Sequence, residues 1–342
     1  MLKLAVGYQL SDEDEEPFVD IVEPYVGEVT EIFFAWPGHA SGRSPVGMTA
    51  NKLDAAAFAR FEHDLERFRS LGLRLDILFN ANCYGGDAMS VELENEVLRV
   101  LRRMADKVGA ADVVTTTSPA IAWLVKREFP SIDVRASVNM RIGSVAGMEY
   151  VADRFDSYHI RRDFNRDLEH VAELKAWAEE HGKKLVMLAN SGCLRDCSGQ
   201  TFHDNLVAHE AEVAASNNMP GFMPYTCWNF LKDRERWPSL LQSTWVRPED
   251  LDNYEGKVDL VKLATRLHER PHVVIGAYAK RRFSGNLLDL MEPGFSRALA
   301  PYVIDNRLFP SDWFKTVSTC DGRCHRCGYC ASVLEKTLVK IG

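Results

Sequence analysis

The stretch "SYHIRRDFNRDLEHVAELKAWAEEHGKKLVMLAN" at residues 157–190 decides the fold of this chain. It opens with a short β-rich run at 157–163, continues with apolar residues three and four apart over 168–182, and closes with a second β-rich run at 183–190. That spacing predicts an amphipathic helix, and Gly182 predicts where the helix stops. The stretch is therefore a strand–helix–strand unit of the kind that builds parallel α/β folds.

The same alternation extends through the rest of the chain. Besides the two runs just described, we predict strands at 2–8, 29–36, 73–80, 111–117, 132–139 and 257–264. Helical patterns lie between them, and the longest are at 51–72 and 89–110. Eight strands alternating with helices favour an α/β fold of the (β/α)8 TIM-like barrel type. A doubly wound open sheet is the alternative, but no G-x-G-x-x-G motif follows the first strand.

Two segments interrupt this rhythm. Residues 198–256 show no clear strand and have the character of an insertion after the seventh strand. The end of the chain looks like an appended segment that carries four cysteines. We therefore predict a barrel over 1–285, with an insertion at about 198–256, and a Cys-rich metal-binding extension over 286–342.

The composition narrows the class of protein. The chain has 342 residues, of which 46% are hydrophobic and 26% are charged, so it can bury a large core. Its formal charge of −8 argues against a large nonspecific surface for RNA. There is no apolar run long enough for a membrane span and no pattern of a secretory signal. We expect a cytoplasmic protein whose clustered cysteines bind metal or do redox chemistry rather than form disulfides.

Four cysteines follow predicted strands or lie in the insertion. Cys193 and Cys197 come directly after the seventh strand, Cys227 follows thirty residues after Cys197, and Cys83 follows the third strand. Loops after the strands meet at the C-terminal mouth of a barrel, so these thiols can reach one place. Thiolates suit iron–sulfur clusters, zinc and Cu(I). We predict a metal site here; the alternative is that Cys83 and Cys227 are buried apolar residues.

The other four cysteines form a dense C-x3-C-x2-C-x2-C motif near the end of the chain. They are Cys320, Cys324, Cys327 and Cys330. Four thiols within eleven residues are hard to explain by packing, so we predict a second metal site. A structural zinc site usually pairs two C-x2-C motifs across a longer gap, whereas an iron–sulfur cluster tolerates the compact spacing. Both metals remain candidates for this site.

Polar residues at the strand ends are candidates for substrate binding and catalysis. Guanidinium groups bind carboxylates with two parallel hydrogen bonds, which suits a carboxylate-rich small molecule or precursor. The arginine candidates are Arg141, Arg161, Arg162, Arg247 and Arg266. The candidates for proton transfer or other catalytic roles are Asp163, Lys262 and Asn190. The alternative is that some of these residues form structural or surface ion pairs.

Several passages of the sequence resemble the peptidase U32 (collagenase-like) family. The most specific is "IRRDFNRDLEHVAELKAWAEEHGKKLVMLANSGCLRDCSG" at 160–199, which is similar to a family passage of strand, helix, strand and cysteines. Further similar passages are "TWVRPEDLDNYEGKVDLVKLATRL" at 244–267, "LFNANCYGGD" at 78–87 and "VRASVNMRIGS" at 134–144. The resemblance covers roughly residues 1–285.

The resemblance implies a (β/α)8-like barrel with a cysteine-ligated [4Fe–4S] cluster. Members are associated with oxygen-independent hydroxylation of tRNA, ribosomal RNA or ubiquinone precursors, with prephenate implicated as the oxygen source. Carried over to this chain, the first three cluster ligands fall on Cys193, Cys197 and Cys227. The fourth is Cys83 or a cysteine of the C-terminal motif. That motif is not typical of the family and suggests a second centre, a [4Fe–4S] cluster or zinc.

Three functions follow as hypotheses. The leading one is an iron–sulfur oxidoreductase or hydroxylase that modifies an organic or RNA-linked substrate without O2, with the second centre passing electrons. The next is an Fe–S or zinc scaffold in a heteromeric complex, because some relatives act as paired subunits. The third is a peptidase, with a cysteine nucleophile and His203 or His209. The sequence has no G-x-S-x-G motif at Ser191 and no H-E-x-x-H motif.

Overall fold

A computed structural model describes residues 1–39, 41–42 and 53–341. Eight parallel strands close into a barrel in chain order, which confirms the predicted (β/α)8 architecture. The strands are β1 (Leu4–Gly7), β2 (Val29–Ala35), β3 (Arg74–Phe79), β4 (Val113–Thr116), β5 (Asp133–Ala136), β6 (Ser157–His159), β7 (Lys184–Leu188) and β8 (Leu260–Leu263). Each lies inside a predicted run.

Helices connect the strands and cover the outside of the barrel. Between β1 and β7 they are α1 (Phe18–Val22), α2 (Ala55–Ser70), α3 (Val91–Lys107), α4 (Pro119–Glu128), α5 (Val145–Glu149) and α6 (Leu168–Glu180). The starts of α2, α3, α4 and α6 follow from N-caps, because Asp54, Ser90, Ser118 and Asp167 each accept a hydrogen bond from a backbone N–H of the first turn. The first two residues of the helix predicted at 51–72 lie outside the described residues.

The insertion after β7 is helical. It holds α7 (Gln200–Ala208), α8 (Glu210–Ala215), α9 (Thr226–Phe230) and α10 (Pro238–Gln242). After β8 follow α11 (Pro271–Ala279), α12 (Ser296–Leu299), β9 (Tyr302–Ile304), α13 (Trp313–Ser318), α14 (Tyr329–Thr337) and β10 (Leu338–Lys340). β9 and β10 form a separate antiparallel pair. Within the residues that the structure describes, no helix is long and apolar enough to cross a membrane.

The C-terminal extension packs directly on the barrel. Trp313 of the extension is stacked with Trp245 and with Tyr329, and both pairs of ring centroids are 6.0 Å apart. The guanidinium of Arg166 lies 4.3 Å from the ring centroid of Trp245. Arg166 also donates hydrogen bonds to the carbonyl oxygens of Leu241 and Trp245, both over 2.9 Å. The buried core of the extension is therefore continuous with the core of the barrel.

A second contact brings the extension to the mouth of the barrel. The backbone of Glu292 donates to the carbonyl of Asn190 and accepts from the N–H of Gly192, each over 3.0 Å. A Cβ at position 192 would lie 2.1 Å from the carbonyl oxygen of Pro293. Real side chains do not approach a backbone that closely, so this contact requires glycine. The close approach places Glu292 at the end of β7.

Candidate functional site: the mouth of the barrel

A cavity of about 90 Å³ lies at the C-terminal mouth of the barrel, where active sites of this fold are found. Its apolar wall consists of Phe33, Leu78, Val138, Leu188 and Leu267. Its polar lining includes two amides, two arginines, a lysine and a carboxylate, which are Asn80, Asn139, Arg162, Arg266, Lys262 and Glu292. Three cationic groups and one carboxylate line it, so the cavity favours an anionic ligand.

Lys262, at the end of β8, is buried below this cavity and lines it. Its Nζ lies 3.8 Å from the ring centroid of Phe33. Burial lowers the pKa of Lys262 to about 8; Asp76 and Glu31 oppose the shift, and Arg135 and Arg266 add to it. The amine is therefore deprotonated more easily than that of an exposed lysine, whose pKa is about 10.4.

Under Lys262 the barrel interior holds a buried ion network. Arg135 donates to both carboxylate oxygens of Glu31, over 2.5 and 3.0 Å, and lies 3.3 Å from Asp76. Thr115 donates to Asp76 over 2.8 Å. Burial raises the pKa of Asp76 to about 6, although Arg135 and Lys262 oppose the shift. Two carboxylates thus face two cations, which is how buried charges are tolerated.

His159 is buried in the same interior. Its Nδ1 lies 3.0 Å from the carbonyl oxygen of Ala136, so this nitrogen carries the proton and Nε2 is left as an acceptor. Among the described residues Nε2 has no hydrogen-bond partner. Burial, with the positive charges of Lys262 and Arg135, lowers the pKa of His159 well below its usual value. The imidazole is therefore neutral.

Two of the five candidate arginines line the cavity. The Nη1 of Arg162 lies 3.3 Å from the Oγ of Ser191 and 3.3 Å from the Sγ of Cys193. The Nη2 of Arg266 lies 3.2 Å from the Oγ of Ser41. Arg162 therefore joins the wall of the cavity to the first cysteine of the predicted cluster.

The other three arginines form ion pairs away from the cavity lining. The pairs are Arg141 with Asp204 at 2.7 Å, Arg161 with Asp163 at 2.6 Å and Arg247 with Asp250 at 3.0 Å. These pairs match the structural alternative raised for arginines at strand ends. A direct role for these three in binding a ligand stays a prediction from the sequence.

Asp163 holds the loop between Cys193 and Cys197. Its Oδ1 accepts from the backbone N–H of Asp196 over 3.1 Å, and its Oδ2 accepts from Arg161. Although burial opposes the shift, these bonds lower the pKa of Asp163, so the carboxylate is charged. Asp196 has a φ of +50°, a left-handed conformation that needs such support. The contacts make Asp163 a positioning residue for the cysteines.

Asn190 joins three backbone segments. Its amide nitrogen donates to the carbonyl oxygens of Ala264 and Leu290, over 3.1 and 2.9 Å. Its Oδ1 accepts from the N–H of Ala264 over 2.7 Å. These bonds tie the end of β7 to the end of β8 and to the extension. A catalytic role for Asn190 stays a prediction.

Three of the predicted barrel ligands are near enough to one another to interact electrostatically. Burial raises the pKa of the Cys227 thiol to about 11, and the neighbouring Cys193 and Cys197 add to the shift. Cys83 has a different neighbour, because its thiol is hydrogen-bonded to His209 of the insertion and accepts from the N–H of Gly85 over 3.3 Å. Within the described ranges, no three Cys, His, Asp or Glu side chains converge closely enough to hold a metal ion.

The four cysteines of the extension influence one another and lie near Arg195, a residue of the loop between Cys193 and Cys197. Burial raises the pKa of Cys330 to about 11; Arg166 opposes the shift, and Cys324, Cys320 and Cys327 add to it. Arg195 lies between Cys193 and Cys197 in the sequence, and its side chain reaches the segment that carries the extension cysteines. Its Nη2 is so close to Gly322 that a Cβ added at Gly322 would lie 3.0 Å from it. The loop that carries Cys193 and Cys197 therefore contacts the cysteine segment of the extension through Arg195.

Sequence reasoning missed Glu292 and the charged interior of the barrel. Glu292 is not part of any sequence motif. It reaches the cavity only because the extension packs against Gly192. Glu31, Asp76 and Arg135 did leave a signal, because a charged residue within a short, otherwise apolar strand of a barrel has to be paired inside it.

Comparison with known proteins agrees with this architecture. No protein-family model matches the chain. The chain is 28% identical over 277 residues to the "uncharacterized protease MJ1657" of Methanocaldococcus jannaschii, and the match covers 78% of this chain and 77% of that protein. The solved structure of the U32 peptidase Mk0906 superposes with a TM-score of 0.56 at 15% identity, over 77% of this chain and 92% of that one. The chain therefore shares the barrel fold of a U32 peptidase, in agreement with the resemblance found in the sequence.

Proposed function

We propose that this chain, a barrel that resembles the peptidase U32 family, is an iron–sulfur-dependent oxidoreductase. It would modify an organic substrate without O2, as an oxygen-independent hydroxylase does. The observation that carries the proposal is Arg162, which contacts Cys193 at 3.3 Å and also lines the cavity. A cluster on that cysteine would be one side chain away from a bound substrate.

The donor set fits a cluster in its chemistry. Cys193, Cys197 and Cys227 carry soft thiols, and Cys193 and Cys197 act electrostatically on Cys227. A [4Fe–4S] cluster is larger than a single ion, so its ligand thiols stand further apart than those of a mononuclear site. When bound, the cluster supplies one-electron redox chemistry. Cys83 or a cysteine of the extension would provide the fourth ligand.

The residues of the cavity would bind and orient a small carboxylate. Arg162 and Arg266 match carboxylate groups, and Asn80 and Asn139 supply amide groups that can orient an oxygen-bearing ligand. Prephenate, which carries two carboxylates, is a co-substrate that suits two arginines. The apolar wall around Phe33 excludes water from the ligand. RNA-linked substrates remain compatible with this site only if they present a small end group to it.

The extension would hold the second centre. Its four thiols, from Cys320 to Cys330, influence one another, and Arg195 of the loop between Cys193 and Cys197 reaches their segment at Gly322. A [4Fe–4S] cluster there would pass electrons to the barrel site, whereas zinc would make the extension structural. The non-catalytic alternative is a scaffold subunit. It would work in the cytoplasm with a heteromeric partner of the same family.

One observation favours a peptidase as the second candidate. The thiol of Cys83 is hydrogen-bonded to His209, and the Nδ1 of His209 lies 3.2 Å from Glu212. A thiol, an imidazole and a carboxylate in series are the arrangement of a nucleophilic cysteine. The protein from Methanocaldococcus jannaschii is named a protease. Hydrolysis of a peptide library that is lost in Cys83→Ala would support this function.

The experiment that tests the leading proposal is metal analysis. The protein is purified without oxygen, and iron, acid-labile sulfide and zinc are measured per chain. Two [4Fe–4S] centres would give about eight irons, falling by about half in Cys193→Ala and in Cys324→Ala. Iron lost only in Cys193→Ala, with zinc lost in Cys324→Ala, would make the second site structural. A wild-type chain without iron would overturn the proposal.

A further inference from the structure

We propose that Lys262 forms an imine with the carbonyl group of a 2-oxo carboxylate bound in the cavity at the barrel mouth. The inference names a substrate class for the cavity, and it rests on the small-carboxylate site of the proposed function. It assigns Lys262 a covalent role in addition to the proton transfer expected from its position at a strand end.

The placement of the amine carries the proposal. Lys262 is buried and lines the cavity. Among the residues that the structure describes, its Nζ has no hydrogen bond and no ion pair, and the one contact recorded for it is the Phe33 ring at 3.8 Å. A buried lysine with a purely structural role is normally paired. An amine without a hydrogen-bond partner at the wall of a cavity is available to a ligand.

The surroundings make the neutral amine that imine formation needs more accessible than it is in an exposed lysine. Burial lowers the pKa of Lys262 to about 8, and Arg266 and Arg135 act in the same direction. The carboxylates of Glu31 and Asp76 accept hydrogen bonds from Arg135 and none from Lys262, although their charges oppose the shift in its pKa. A desolvated lysine near other cations is a recurring form of the nucleophilic amine.

The cavity also holds the groups that a 2-oxo carboxylate requires. Arg162 and Arg266 line the same cavity as Lys262 and can bind the carboxylate. Because the carbonyl carbon is directly bonded to the carboxylate carbon, anchoring the carboxylate restricts the position of the carbonyl. Glu292 is the one carboxylate in the described lining, so it can exchange protons with the reacting oxygen.

The chemistry balances without an oxidant or reductant. The lone pair of the neutral Nζ forms a bond to the carbonyl carbon, and the C=O π bond breaks as its oxygen takes a proton. The nitrogen loses a proton, which gives a carbinolamine. The hydroxyl group then takes a second proton and leaves as water while the C=N bond forms, and the nitrogen of the resulting iminium gives up its remaining proton. One amine and one ketone give one imine and one water.

Reductive trapping tests the proposal. The anaerobically purified chain is incubated separately with glyoxylate, pyruvate and phenylpyruvate in the presence of cyanoborohydride, which reduces an imine to a stable secondary amine. Intact-mass analysis then shows whether one adduct per chain forms, and peptide mapping shows which lysine carries it. We expect one dominant adduct, on Lys262, which lactate suppresses because it offers the carboxylate without the carbonyl.

Matched variants separate this result from surface chemistry. Lys262→Arg keeps the positive charge but cannot form an imine, and it should lose the adduct; Lys232→Arg, at an exposed lysine, should keep it. The mapping on the wild-type chain stands even if Lys262→Arg fails to fold. No adduct with any of the three acids, or labelling spread over exposed lysines, would overturn the proposal. Iron measured on the same preparation reports separately on the proposed function.

Discussion

Arg162 donates a hydrogen bond from its Nη1 to the Sγ of Cys193 over 3.3 Å. The same nitrogen lies 3.3 Å from Ser191, in the wall of the cavity. A charged donor on a thiolate stabilises the ionised sulfur that a metal requires. A ligand that binds in the cavity would therefore contact Arg162, the same residue that contacts a cysteine of the predicted cluster.

Arg162→Lys should weaken the binding of small carboxylates. The substitution keeps the positive charge but removes the guanidinium, which can donate two parallel hydrogen bonds to a carboxylate. One hydrogen bond to a charged group contributes about 1.5–3 kcal/mol to the free energy of binding. We expect roughly a tenfold or greater loss of affinity for malonate, measured by calorimetry. Arg141→Lys is the control, because Arg141 pairs with Asp204 and does not line the cavity. Equal losses in both variants would contradict the assignment.

Asp163→Ala should release iron faster without unfolding the barrel. The variant removes the acceptor for the Asp196 N–H and leaves the loop between Cys193 and Cys197 unsupported. We expect a faster rate of iron loss to a chelator and a decrease of about 1–3 kcal/mol in the free energy of unfolding. Asp153→Ala, at an exposed carboxylate, should change neither quantity. Unchanged iron loss in Asp163→Ala would argue against a positioning role.

Gly192→Ala should destabilise the contact between the extension and the barrel. The new Cβ would lie 2.1 Å from the carbonyl oxygen of Pro293, so the two segments must separate. Overpacking of this kind costs about 1–3 kcal/mol, measured by urea unfolding. Gly27→Ala is the control, because a Cβ at Gly27 meets nothing within 4 Å. A variant as stable as the control would show that the segments can separate freely.

Arg135→Met should be strongly destabilising, because it leaves Glu31 and Asp76 buried without their shared partner. Removing one member of a buried ion pair costs about 3–5 kcal/mol. Arg74→Met is the matched control, because Arg74 also pairs with Glu31, at 3.4 Å, but is partly exposed. We expect this substitution to lower the free energy of unfolding by less than about 1 kcal/mol. Urea unfolding measures both values. A small cost at Arg135 would mean that the two carboxylates become protonated and tolerate burial.

Trapping at Lys262 should depend on pH with an inflection near 8. Only the neutral amine attacks a carbonyl, so the rate should fall about tenfold for each pH unit below the pKa and level off above it. The charged groups acting on Lys262 are Glu31, Asp76, Arg135 and Arg266, with neutral His159 nearby. If the labelling rate instead keeps increasing with pH up to about 10.4, the ordinary pKa of lysine, the labelled residue is an exposed lysine.

Much of the fold was predictable because its signals are local. All eight strands lie in runs such as 157–163 and 183–190, and the caps at Asp54 and Ser90 mark where helices begin. The candidate site was predictable in outline, since residues after parallel strands meet at one end of a barrel. Which strand-end residue faces the cavity was not predictable, because Arg161 and Arg162 are neighbours in sequence and yet only Arg162 lines it.

The sequence by itself determined the barrel and the two groups of cysteines, because periodicity and spacing act within a few residues along the chain. Only the tertiary structure decided that Arg195 reaches the extension at Gly322 and that Glu292 and Lys262 line the same cavity. These relations join residues far apart in sequence. They depend on the register of β8 and on the docking of the extension at Gly192, and both are set by packing across the whole barrel.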